Sequence, residues 1–85
     1  MLMKPKIYLK SESNFAVLRW NAKSEVWQVF AYYNYALDAL SIAVGLCRAD
    51  GSEMVLAERG VNPILIRGGM IVSNVWRELE VIWLS

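Results

Sequence analysis

Between Asn34 and Gly51 the chain reads NYALDALSIAVGLCRADG, and this stretch constrains the fold more than any other. At a hundred degrees per residue, Asp38, Ser41, Gly45 and Arg48 fall within an arc of about 80°. Ala36, Leu37, Leu40, Ala43, Val44 and Cys47 lie opposite, at the spacing of a core-facing stripe. A second apolar flank, Tyr35, Ala39, Ile42 and Leu46, runs between the two. The pattern predicts a helix over about 35–49. Asn34 or Asp38 can cap its start, and Asp50-Gly51 supplies the stop, since glycine takes the left-handed conformation a helix end favours. So wide an apolar surface needs two covers. A sheet suits the stripe. The flank requires a loop, a terminal segment or a second chain, and Ala39, Ile42 and Leu46 are the residues self-association would use.

The order β-β-β-α-β-β-β follows from the segments around this helix. Lys6–Lys10 alternates behind Pro5, and Ser11 to Asn14 is a polar turn. Phe15–Asn21 and Glu25–Tyr33 flank Asn21-Ala22-Lys23-Ser24 as a hairpin. Its symmetric register pairs Asn21 with Ser24, Arg19 with Val26, Val17 with Gln28 and Phe15 with Phe30. Period-two alternation then places Ala16, Leu18, Trp20, Trp27, Val29 and Ala31 on one face, expected to lie under the helix. The other face carries Phe15, Val17, Arg19, Val26, Gln28, Phe30 and Tyr32. Beyond the helix, Met54–Arg59, Ile64–Arg67 and Met70–Ser73 read as strands, the last two joined by a Gly68-Gly69 hairpin loop. The tail suits either a helix or a strand; its ending EVIWL favours a strand over Leu79–Leu84. The expectation is a single α+β domain over 1–85: an antiparallel sheet of five to six strands with one helix packed on one face.

Eighty-five residues bury a modest core, so such a domain leans on bridges, metals or partners. One cysteine excludes an internal disulfide, and the absence of histidine with Cys47 on the helix stripe argues against a metal site. Oligomerisation remains, and 56% apolar residues favour a homodimer. There is no apolar run of membrane-spanning length and no secretory pattern in MLMKPKIYLKSES, so a cytoplasmic location without membrane contact is expected. Residues 1–33 carry five cations against two acids and the rest four against six, a split of +3 and −2. That falls short of the basic stripe a phosphate-backbone binder uses, which disfavours nucleic acid.

Chemistry is marked mostly by what is missing. Without histidine there is no Ser-His or Cys-His nucleophile pair and no common proton shuttle. Glu78 and Glu80 share a side only in a strand, and no catalytic residues or cofactor are expected. Arg59, Arg67, Gly68 and Gly69 form a possible anion-binding set, because amides in glycine turns can cradle phosphate; a plain hairpin turn explains the same glycines. The aromatic signal is stronger. Trp, Tyr and Arg dominate binding energy because each joins large contact area to a polar handle. Phe15, Arg19, Gln28, Phe30 and Tyr32 are therefore the expected partner-binding residues. The function expected is non-enzymatic: occupying a surface of a larger protein or complex, as a phage or mobile-element inhibitor of a host defence complex would (anti-CRISPR-like, acting in host cytoplasm). Sequestering a nucleotide or phosphate is the alternative, and binding single-stranded nucleic acid the third.

Overall fold

A computed structural model describes residues 5–74 and 79–84. Three strands, β1 (Lys6–Lys10), β2 (Phe15–Asn21) and β3 (Val26–Tyr33), precede helix α1 (Ala36–Asp50). Four follow it: β4 (Met54–Glu58), β5 (Ile64–Arg67), β6 (Met70–Asn74) and β7 (Glu80–Leu84). The expected β-β-β-α-β-β-β order is present, and the ending of the tail adds a seventh strand, over Glu80–Leu84. The expectations for Val75, Trp76, Arg77 and Glu78 lie outside the described residues.

β3-β2-β4-β5-β6 form one antiparallel sheet. β1 and β7 pair in parallel as a separate two-stranded sheet, Lys6 opposite Glu80 through Lys10 opposite Leu84. The result has three layers, with a core on each face of the large sheet. On one side Ala39, Ala43 and Cys47 of α1 meet Val17, Met54 and Ile66. On the other, Leu9 and Leu79 meet Ala16, Leu18, Val55, Ala57 and Leu65. The central strands explain this division. β2, β4 and β5 carry apolar residues consecutively (FAVL, MVLA, ILI), which marks strands covered on both faces.

The expected hairpin faces are corrected here. The loop holds four residues, Ala22 to Glu25, because Asn21 Oδ1 accepts the amide hydrogens of Lys23 and Ser24 at 3.0 and 3.1 Å. Asn21 therefore pairs with Val26, Trp20 with Trp27, Arg19 with Gln28 and Leu18 with Val29. The register then slips, and Val17 pairs with Ala31, Ala16 with Tyr32 and Phe15 with Tyr33. Phe30 is the extra residue of this bulge. An added residue reverses the parity of everything beyond it. Ala31 thus joins the helix side, and Tyr32 joins the face under β1 and β7. The face with Ala16 and Leu18 lies under the small sheet, and the helix covers the face with Phe15 and Val17.

The helix is also rotated from expectation. Its fully buried line is Ala39, Ala43 and Cys47, flanked by half-buried Leu40 and Val44 on one side and Ile42 and Leu46 on the other. Leu37, placed in the expected stripe, is 76% exposed. Small residues along the contact line let the helix axis approach the sheet closely, and the Cys47 thiol donates to the Ile66 carbonyl at 3.3 Å. Tyr35, extended at φ −122°, occupies the N-cap without a side-chain hydrogen bond, so neither Asn34 nor Asp38 serves as the cap. Gly51 ends the helix at φ 75°, its amide bonded to the Cys47 carbonyl at 2.9 Å.

Candidate interaction surface

The expected partner-binding residues do not form one patch. Phe15 is half-buried against the helix-side core. Arg19 lies on the same side, where its Nε donates to Ser52 Oγ at 3.0 Å and its Nη2 bonds Asp50. Asp50 is held below the usual carboxylate range by hydrogen bonds from the Ser52 side chain and amide, with the Arg19 charge adding to them. Gln28 is exposed and accepts from the Asn21 side-chain amide at 3.2 Å. Phe30, at the bulge, stays 43% exposed on edge strand β3. Tyr32 is turned to the opposite face, where it packs on the second core and its hydroxyl accepts the Lys10 amide hydrogen at 3.3 Å.

Of the residues expected for self-association, Ala39 is excluded: it is fully buried beneath the helix, because the contact line runs through it. Ile42 and Leu46 are half-buried on the helix flank. The anion-binding set is not brought together either. Arg59 follows the end of β4 and Arg67 ends β5; in this antiparallel pair those positions lie at opposite ends, about 20 Å apart at strand rise. Arg59 donates to the carbonyls of Ser11 and Ser13 and sits 4.4 Å above the Trp83 ring, fastening the β1–β2 turn to β4 and β7. Arg67 donates to Glu53 at 2.7 Å. Gly68 and Gly69, at φ 63° and 80°, form the tight β5–β6 turn, with the Arg48 side chain against Gly69.

A different grouping emerges at the loop end of the β2–β3 hairpin. Trp20 and Trp27, neighbours across the two strands, hold ring centroids 5.3 Å apart at 60°. They lie on the small-sheet side, both half-buried, with Trp27 packed against the core there. A mainly apolar cleft of about 500 Å³ remains, walled by Trp20, Trp27, Val26, Ile7 and Leu79. Lys6, Glu25 and Glu53 bring charge to its lining. The Trp20 amide donates to the Glu53 carbonyl at 3.0 Å, which fixes the cleft wall to the β4 entrance. From here β3 runs as an open edge among the described residues, with Val26 and Phe30 exposed. Around the other side of Trp20 lies a polar hollow of about 380 Å³ lined by Arg19, Asn21, Lys23, Gln28 and Ser52.

Sequence reasoning placed Trp20 and Trp27 on one face and assigned that face to the core. The signal it passed over was their place in the hairpin. Both tryptophans flank the hairpin loop, and at that end of the strands they stay half-buried and line a cleft. No helix among the described residues is long and apolar enough to cross a membrane. Comparison with models of known protein families, with curated proteins and with solved structures found no match.

Proposed function

We propose that this chain acts by contact, occupying a surface of a larger protein through the loop end of its β2–β3 hairpin. An accessory inhibitor of a protein complex, of the kind mobile elements encode, is one form of this reading. The observation that carries it is the Trp20–Trp27 cleft opening beside β3, which among the described residues is an edge strand exposing Val26 and Phe30. Tryptophan in a partly desolvated pocket is the usual centre of a binding hot spot, and an open edge offers backbone hydrogen bonds beside it. The expected partner residues shift accordingly. Phe30 stays, Trp27, Trp20 and Val26 join it, and Tyr32 becomes structural.

Retention of partner from a native lysate tests the assignment. Trp27→Ala and Phe30→Ala, each checked for a folded circular-dichroism spectrum, should lose most of the retained protein, whereas Leu37→Ala on the exposed helix should retain it. Undiminished retention by both folded hairpin variants would refute the surface.

A further inference from the structure

We infer that the Trp20–Trp27 cleft receives a cationic side chain of the partner, with arginine the best fit; this rests on the contact reading above. Two indole rings tilted by 60° and 5.3 Å apart form an aromatic corner. The face of an indole attracts a cation placed over it, and a flat guanidinium can stack on one ring while its edge reaches a carboxylate. The cleft supplies that carboxylate. Glu25 and Glu53 both line it, against a single lysine, Lys6. Glu53 is already shared with Arg67, so Glu25 is the principal anion. Among the described residues Glu25 has no ion-pair partner. The chain makes the same kind of contact internally, where the Arg59 guanidinium covers Trp83.

Backbone conformation makes Glu25 separable from folding. Among the described residues it is the one non-glycine with positive φ, at 55°. Asparagine is better suited than glutamate to that left-handed region. Glu25→Asn should therefore raise the melting temperature while removing the charge from the cleft.

The test follows the indole N–H resonances of Trp20 and Trp27 in the full chain during titration. The probes are N-acetyl-arginine amide and its neutral isostere, N-acetyl-citrulline amide. The arginine probe should shift both resonances saturably, with Kd on the order of 10 mM for so small a fragment. Citrulline should bind at least about fivefold more weakly, as the charge contributes a large share of the attraction. Glu25→Gln and Glu25→Asn should each weaken the arginine probe about threefold or more at low salt. Equal response to citrulline, no response up to about 50 mM arginine probe, or unchanged affinity in Glu25→Gln would overturn the inference. Loss of partner retention in Trp27→Ala with no arginine binding would sink the cationic ligand and leave the contact reading standing. Arginine binding with full retention in both hairpin variants would refute the contact reading instead.

Discussion

Ala43→Leu tests the helix–sheet contact most directly. Ala43 is fully buried in the middle of the Ala39–Ala43–Cys47 line, facing Val17, Met54 and Ile66. Leucine adds three carbons where no accessible space exists, so the helix must lift or its neighbours must leave their preferred rotamers. Overpacking of this kind costs about 2 kcal/mol. Unfolding entropy of roughly 2.1 cal/mol/K per residue gives about 0.18 kcal/mol/K for 85 residues, so the melting temperature should fall by about 11 °C. Leu37→Ala is the counterpart. The helical pattern alone puts Leu37 in the core stripe, yet it is 76% exposed, so its loss should change stability by less than about 0.5 kcal/mol, or about 3 °C. Thermal unfolding followed by circular dichroism at 222 nm (the far-ultraviolet helix band) reads both. A drop under about 3 °C for Ala43→Leu would refute its burial against the sheet, and a drop for Leu37→Ala as large as that for Ala43→Leu would refute the rotation of the helix.

Other outcomes follow from single contacts. Arg59→Lys should cost about 2 kcal/mol in chemical unfolding, because an ammonium cannot both reach the Ser11 and Ser13 carbonyls and stack on Trp83; wild-type stability would contradict that role. Asp50 has its folded pKa lowered by Ser52 and Arg19, so its contribution is present above the ordinary carboxylate value of 3.8 and is lost as acid carries the pH down through the folded value. Asp50→Asn should therefore flatten the acid limb of the stability profile below pH 3.8, and an unchanged limb would count against it. Cys47, 3% exposed, should react with Ellman's reagent only after denaturant is added; prompt labelling of the native protein would show the helix standing off the sheet.

Much of the chain's organisation is written in local pattern. The Asp50-Gly51 stop, the Gly68-Gly69 turn and the six strands before the tail can be read from residue types because backbone conformation selects them locally; the tail suits a helix as well as a strand. Which face each strand shows is a different matter. One surplus residue at Phe30 reverses Ala31 and Tyr32, and no neighbouring side chain announces a bulge. The second layer was legible in principle, through the unbroken apolar runs of β2, β4 and β5, but sorting the hairpin by period-two alternation assigns it one covered face. Helix rotation failed for a related reason. The expected stripe already held Ala43 and Cys47; close packing on a sheet centres the contact line on Ala39, Ala43 and Cys47, leaves Leu40 and Val44 as a flank and exposes Leu37. The expected phosphate cradle dissolved because the antiparallel β4–β5 pair sends its two arginines to opposite ends.

Among the described strands, pairing of β1 with β7 joins the earliest made to the latest made. Until Leu84 has emerged from the ribosome, Leu18, Val55 and Leu65 have no roof, whatever the helix has already achieved on the far side. A chain interrupted before β7 would display that greasy plane to chaperones and proteases, so cover on that side arrives only with the last strand described.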